Sequence, residues 1–148
     1  ASTYSPMFSP ELFEKYMLPR YKRIIEECQK AGCRHFYFHS DGNILPVMDM
    51  LIEAGFEGFN PLEPRSGLGL LKLREKYGKK IILFGGICNT EILPSGDRAL
   101  IKSHVEPLVE LAKDGGVVLG TASVAGDVPP EAYDYCMKLI RELQGLPV

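Results

Sequence analysis

Four short apolar segments, separated by helical patterns, constrain the fold of this chain more than any other feature. The segments span residues 34–38, 56–60, 80–84 and 117–120, and apolar residues recur at helical spacing before, between and after them. Strands that alternate with helices are typical of a parallel sheet, because a parallel crossover needs a connection of about a dozen residues or more. The sequence therefore predicts an α/β fold with about four parallel strands and flanking helices.

The predicted helices have recognisable start and stop signals. The first begins with Ser9 as its cap and Pro10 at its first position, and it continues to Gly32. Pro19 should kink or split this helix, and Pro107 should kink or break a later one. The remaining helices are predicted at 44–54, at 68–77, after a cap at 95–97, and from 129 to 143.

Two architectures fit this alternation: a small doubly wound domain and half of a (β/α)₈ barrel. The segment 80–84 reads KIILF without polar alternation, which predicts a strand buried on both faces. A doubly wound domain usually begins with a strand, whereas this chain begins with a long helix. Apolar parallel edges seldom face water. We therefore expect one unit over residues 1–148, a partial TIM barrel completed by a missing N-terminal half or by a second copy.

Composition narrows the class of protein. The chain has 148 residues and a net charge of −2, which gives no long-range attraction to nucleic acid or to anionic lipid. No apolar run approaches the roughly 20 residues that span a bilayer. The four cysteines form no Cys-x-x-Cys pair and are too few for a disulfide framework. These features predict a reduced, cytoplasmic protein that binds neither nucleic acid nor membrane.

Polar side chains follow every predicted strand. They are His39 and Asp41 after the first strand, Asn60 and Glu63 after the second, Asn89 after the third, and Thr121 and Ser123 after the fourth. In parallel α/β folds, ligands bind at the carboxyl ends of the strands. We expect the two acids to be catalytic, and the two amides and two hydroxyls to bind a small-molecule substrate.

Each of these residues also has a structural interpretation. His39 could be a hydrogen-bonded core histidine, and Asp41 could cap the helix that starts near residue 44. Glu63 stands between two prolines, as a surface acid in a loop often does. Thr121 and Ser123 could be turn residues. The sequence leaves both interpretations open for each position.

Several motifs in chain order resemble the uroporphyrinogen decarboxylase family. They are SPELF at 9–13, PRYK at 19–22, HSDGN at 39–43, NPLEP at 60–64, GGI at 85–87, LPSG at 93–96 and DVPPE at 127–131. The resemblance covers nearly the whole chain and places it over the C-terminal half of the family's fold. That fold is a (β/α)₈ barrel of more than twice this length, so an isolated chain is expected to be inactive.

The resemblance implies one of two chemistries. Decarboxylases of the family, which are lyases, remove acetate carboxyls from a tetrapyrrole without any metal or organic cofactor. In that branch Asp41 would accept hydrogen bonds from pyrrole nitrogens. Thr121 stands where such a decarboxylase carries a histidine after Leu-Gly, and this departure weakens the tetrapyrrole interpretation.

The other branch transfers methyl groups between a corrinoid protein and a small molecule, with zinc held by a His-x-Cys pair and a later cysteine. His39 matches this pattern, but Asp41 replaces the first cysteine, and Ser123 or a neighbour replaces the second. His39, Asp41 and Glu63 are then the predicted ligands of an oxygen-rich zinc site. Such a zinc would act as a Lewis acid on a methoxy compound, with a corrinoid protein as partner.

Overall fold

The chain alternates helices and strands along its whole length. A computed structural model describes residues 1–123 and 126–147. The elements are α1 (Pro10–Leu12), α2 (Leu18–Lys30), β1 (Tyr37–His39), α3 (Leu45–Ala54), β2 (Gly58–Leu62), α4 (Leu70–Tyr77), β3 (Ile82–Ile87), α5 (Arg98–Lys113), β4 (Val117–Thr121) and α6 (Pro130–Leu143).

The four strands form one parallel sheet in the order β1-β2-β3-β4. The side chains that face the helices make the core, and Phe59 and Leu83, which are partners across β2 and β3, are both 0% exposed. Met48 from α3 and Val105 from α5 are equally buried in the same core. The predicted α/β architecture with four parallel strands and flanking helices is confirmed, and the sheet does not close on itself.

The face of the sheet opposite the helices, which we call the open face, is only partly covered. Ile82 and Phe84 of β3 are half-buried there, and Tyr37 packs edge-on against Phe84 with ring centroids 5.3 Å apart. Val118, the partner of Phe84 on β4, is 50% exposed. The prediction that residues 80–84 are buried on both faces is therefore wrong. The described part of the chain does not supply a layer that covers the second face. Its source, another barrel half or a second copy, stays a prediction.

The first three strands begin two or three residues later than predicted. Residues 34–36, 56–57 and 80–81 are excluded from the sheet, and β2 and β3 instead extend to Leu62 and Ile87. Each helix before a strand ends near a glycine with positive φ, and the chain needs a few residues to come into register after that turn. In β2 the register also shifts between Phe59 and Leu62, where the Asn60–Pro61 peptide is cis.

The two prolines within predicted helices have different effects. Residues 10–30 form one continuous helical run, in which a π-helical segment, Phe13–Met17, lies between α1 and α2 and just before Pro19. The irregularity predicted at Pro19 thus takes the form of this π-helical segment, and a break into two separate helices was wrong. Pro107 lies inside α5, which nevertheless continues from Arg98 to Lys113, so a break at this position was wrong. The predicted caps Ser9 and Asp97 both accept N–H groups of their helices.

Arg74 joins the end of α4 to the turn before β4, at the amino edge of the sheet. Its Nη1 donates to the carbonyl of Gly78 at 2.6 Å. Its Nη2 donates to the carbonyls of Gly115 and Gly116, each at 3.0 Å. One planar guanidinium thus fixes two turns that are about forty positions apart in the chain.

Two further observations concern membrane-spanning helices and the cysteines. Over residues 1–123 and 126–147, none of the helices combines the length and the apolar character needed to cross a bilayer. Cys28, Cys33, Cys88 and Cys136 are all free thiols.

Candidate functional site

The carboxyl edge of β1 and β2 brings His39 and Asn60 together. The two residues are register partners, and both side chains are exposed. The amide nitrogen of Asn60 lies 3.3 Å from Nδ1 of His39. The backbone N–H of Ser40 donates to the Asn60 carbonyl at 3.0 Å, which ties the chain after β1 to β2. His39 is therefore an oriented imidazole at the rim, and the core interpretation of this residue is wrong.

The loop after β1 is held from two sides. Oε2 of Glu63 accepts the N–H of Gly42 at 3.0 Å and the hydroxyl of Ser66 at 3.3 Å. On the other side, the carbonyl of Ser2 accepts the N–H of Asn43 at 2.7 Å. A Cβ on Gly42 would collide with the backbone of Ser2, so only glycine fits this close approach. This geometry gives Glu63 a positioning role, and its predicted catalytic role stays a prediction.

Replacing Glu63 by alanine should loosen the loop after β1. The buried Gly42 N–H would lose its acceptor, which costs about 1–3 kcal/mol of the free energy of unfolding. Glu63→Gln keeps an amide oxygen and should retain most of that stability. Urea denaturation measures the loss, and hydrogen exchange at Gly42 localises it. Equal losses in Glu63→Gln and Glu63→Ala would show that the carboxylate charge, rather than this acceptor, is what matters.

Asp41 is exposed beside His39 and does not cap the next helix. The residue before α3 makes no side-chain cap, and the side-chain oxygen of Asn43 instead accepts the N–H of Leu45 at 3.0 Å. The structural interpretation of Asp41 as a helix cap is therefore wrong. Its carboxylate remains available at the rim.

Asn89, Thr121 and Ser123 border one cavity of about 360 Å³ at the carboxyl ends of β3 and β4. Asn89 is 6% exposed, and its amide nitrogen donates to the Ser123 carbonyl at 2.7 Å and to its hydroxyl at 3.3 Å. The rest of the lining is largely apolar and comprises Leu93, Val128, Pro130 and Tyr133. Three of the four predicted substrate-binding residues thus surround a single space, whereas Asn60 belongs to the His39 pair.

His104 is a residue of this region that sequence analysis missed. It projects from α5 to the end of β3, where Nε2 lies 3.2 Å from the Cys88 N–H and 2.9 Å from the Gly86 carbonyl. Burial lowers the pKa of His104, and the contact with the Gly86 carbonyl opposes that shift. No motif marks this residue, because its role comes from the packing of a helix against a strand end.

Cys88 follows β3 and is a buried thiol among hydrogen-bond donors. Burial raises the pKa of this thiol, but the N–H of Ile92 and the hydroxyl and N–H of Thr90 outweigh burial and hold the pKa below its usual value. The Thr90 hydroxyl lies 3.6 Å from Sγ. The thiol is 5% exposed, so this arrangement stabilises the loop rather than presenting a nucleophile.

The predicted zinc ligands do not form a metal site within this chain. Among the residues that the structure describes, no group of three or more His, Cys, Asp or Glu side chains is placed to hold an ion. Nδ1 of His39 lies 3.3 Å from the side-chain amide of Asn60, and the Glu63 carboxylate accepts two hydrogen bonds of the loop. Zinc on His39, Asp41 and Glu63 therefore stays a prediction, which would need these three side chains to move closer together.

Comparison with known proteins identifies the family. The family described as Uroporphyrinogen decarboxylase (URO-D) matches residues 3–143, which is nearly the whole chain. The chain belongs to the uroporphyrinogen decarboxylase family. No curated protein matches it.

A solved structure of the same fold is the methyltransferase from Methanosarcina mazei. It superimposes with a TM-score of 0.67 at 20% sequence identity, and the match covers 96% of this chain but 40% of that protein. The likeness confirms the expected fold of this uroporphyrinogen decarboxylase family member as part of a TIM barrel. This chain spans only 40% of the length of that protein.

Proposed function

We propose that this chain contributes the His39 edge of the active site in a methyltransferase of the uroporphyrinogen decarboxylase family. The observation that carries the proposal is the exposed imidazole of His39 at the carboxyl end of β1, oriented by Asn60. The fold shared with the Methanosarcina mazei methyltransferase supports the methyltransferase branch. Thr121, at the position where a decarboxylase carries histidine, also favours it.

The proposed reaction moves a methyl group from a small methoxy compound to a corrinoid protein. The carbon–oxygen bond breaks with its electron pair on oxygen, so the leaving oxygen gains negative charge. A hydrogen-bond donor or a cation must stabilise that charge. His39 is the residue of this chain that we assign to the oxygen. Free thiols and the family's chemistry support a cytoplasmic location as part of the same proposal.

The second candidate function is decarboxylation of tetrapyrrole acetate side chains. The observation that favours it is the exposed Asp41 carboxylate beside His39, which could accept hydrogen bonds from pyrrole N–H groups. Turnover of uroporphyrinogen in the absence of metal and corrinoid would select this function over methyl transfer.

Replacing His39 by alanine should abolish most methyl transfer in the complete barrel, meaning this chain together with the polypeptide that supplies the remaining strands. The probe reaction is transfer from 2-methoxyphenol or methanol to free cob(I)alamin, followed by the absorbance of methylcobalamin. Loss of one donor to a developing oxyanion should lower kcat/KM about 10²–10³-fold.

His35→Ala is the matched control, because His35 precedes β1 at its other end and pairs with Glu57 at 2.6 Å. This variant should retain wild-type rates. Equal losses in the two variants would contradict the assignment of His39. Metal analysis of the same proteins tests the zinc prediction: equal metal content in wild type and His39→Ala removes His39 as a ligand.

A further inference from the structure

The turn between α2 and β1 is a helix C-cap that has a cysteine at each of its two ends. The N–H of Gly32 donates to the carbonyl of Gln29 at 2.9 Å, and the N–H of Cys33 donates to the carbonyl of Cys28 at 3.0 Å. Gly32 has a φ of +96°. These features define a Schellman motif, in which the side chains of the first and last residues, here Cys28 and Cys33, commonly touch each other.

The same motif at the end of α3 shows how this protein uses the two end positions. The N–H of Gly55 donates to the carbonyl of Ile52 at 3.0 Å, and the N–H of Phe56 donates to the carbonyl of Leu51 at 3.2 Å. Leu51 is 0% exposed, and Phe56 packs against the same core cluster. The motif therefore directs the side chains at its ends to one side of the turn. At the end of α2 these positions hold two thiols.

Covalent geometry keeps the backbones of Cys28 and Cys33 within reach of a disulfide. The 3.0 Å hydrogen bond and the fixed bond lengths on either side of it limit the separation of the two Cα atoms to roughly 7 Å, and the bends at the bonded atoms shorten it further. Disulfides join Cα atoms that are about 4.4–6.8 Å apart. Cys33 is exposed and Cys28 is half-buried, so a small reagent can reach the pair.

The other two cysteines are buried in the core. Cys88 is 5% exposed and Cys136 is 0% exposed. Burial raises the pKa of the Cys136 thiol to about 11, which keeps this thiol protonated at neutral pH. Since the thiolate is the form that attacks a disulfide, we expect these two residues to stay unreactive in the folded chain.

We propose that Cys28 and Cys33 form a reversible dithiol–disulfide site that closes the carboxyl end of α2. The site lies before the amino end of β1, whereas His39 lies at the carboxyl end of that strand, so the inference is independent of the proposed methyl transfer. The co-reactant is a small disulfide such as glutathione disulfide. The structure holds the reduced form, in which both thiols are free.

The exchange takes place in two steps that balance without any other reactant. The Cys33 thiolate attacks one sulfur of glutathione disulfide, the sulfur–sulfur bond breaks, and one glutathione leaves as a thiolate. The Cys28 thiolate then attacks the Cys33 sulfur, and the second glutathione leaves in the same way. The two protein thiols lose two electrons to glutathione disulfide, and their two protons end on the two glutathione thiols.

The test incubates the chain with defined ratios of reduced to oxidised glutathione at one fixed pH, followed by acid quenching, digestion and mass spectrometry. Trypsin cuts between the two cysteines, after Lys30, and releases them on the peptides 24–30 and 31–34. We expect these peptides to be joined to each other, with the loss of two hydrogens and with no glutathione attached. Cys88 and Cys136 should stay reduced.

The equilibrium constant for the internal disulfide measures how well the fold prepares the pair. It should be about tenfold larger in the native chain than in the chain unfolded in urea, because the folded turn already holds the two residues together. Gly32→Ala should lower the native constant about fivefold, since alanine disfavours the positive φ and nothing lies within 4 Å of the added methyl group. Gly145→Ala is the matched control, because Gly145 has a φ of +69° in the same motif at the end of α6. It should keep the wild-type constant.

Single-cysteine variants separate the two steps of the exchange. In Cys28→Ser and in Cys33→Ser, the remaining thiol should retain one glutathione as a mixed disulfide, because no second thiol is there to displace it. A wild-type chain that keeps its glutathione and never joins the two peptides would overturn the inference. A disulfide between two chains would overturn it as well, and so would a native constant that is no larger than in urea or that Gly32→Ala leaves unchanged.

Discussion

Replacing Gly85 by alanine is expected to cost more than about 3 kcal/mol of the free energy of unfolding, the range in which single substitutions unfold small domains. A Cβ at this position would lie 2.8 Å from both the backbone nitrogen and the carbonyl oxygen of Leu62. Neighbouring backbone cannot rotate away as a flexible side chain can. Gly85 also has a φ of +123°, which disfavours any L side chain.

Gly96→Ala is the matched control for this prediction. Gly96 also has a positive φ, of +65°, but nothing lies within 4 Å of the position that its Cβ would take. Alanine there should cost only about 1 kcal/mol, which is the backbone contribution alone. Urea denaturation of both variants separates the two contributions. Equal losses at the two glycines would contradict the close approach of β2 and β3 at Leu62.

Replacing Arg74 by alanine is the second large expected effect, a loss of about 2–4 kcal/mol in the free energy of unfolding. A hydrogen bond to a charged group contributes about 1.5–3 kcal/mol, and Arg74 donates to three carbonyls. The loss should stay well below the sum of three such bonds, because Gly78, Gly115 and Gly116 are exposed and water can replace part of each bond. Its alanine variant leaves the turns before β3 and before β4 without their shared donor. Increased hydrogen exchange at Gly78 and at Gly115 should accompany the lower stability.

Arg74→Lys tests whether charge alone accounts for this effect. A lysine ammonium keeps the charge but cannot reach carbonyls on two turns with one planar fork, so it should recover less than half of the loss. Lys72→Ala on the same helix is the control for helix propensity, because Lys72 is exposed. An Arg74→Lys protein as stable as the wild type would contradict this prediction, because the positive charge alone would then account for the stabilisation by Arg74.

The sequence predicted the order and type of the main elements because their causes are local. Apolar spacing marks the helices, and cap residues such as Ser9 and Asp97 fix where two of them begin. Parallel alternation then fixes which ends of the strands share an edge. The same reasoning predicted that His39 and Asn60 lie at one edge of the sheet, and the structure makes them register partners there.

Side-chain direction was not predictable from the same patterns. Glu63 follows β2 as expected, yet its carboxylate faces the Gly42 N–H because the loop after β1 needs an acceptor there. His104 lies in a helix about 16 residues after Cys88, so only tertiary packing could bring it to the end of β3. The prediction that β3 is buried on both faces was wrong for a different reason. The apolar sequence KIILF suits a strand covered on both sides, as in a complete barrel, whereas the described residues cover only one face.

The uninterrupted succession of neighbouring strands has a consequence for how this unit folds. Every pairing in the sheet joins a strand to the next strand along the chain, so each step closes a short loop and the entropy of closure stays small. The sheet can therefore form one β-α-β unit at a time, because no strand pairs with a strand that is distant in the sequence. We expect such a modular array to reach its secondary structure and helix-side core early, and to acquire its catalytic competence only at the later step when the barrel closes.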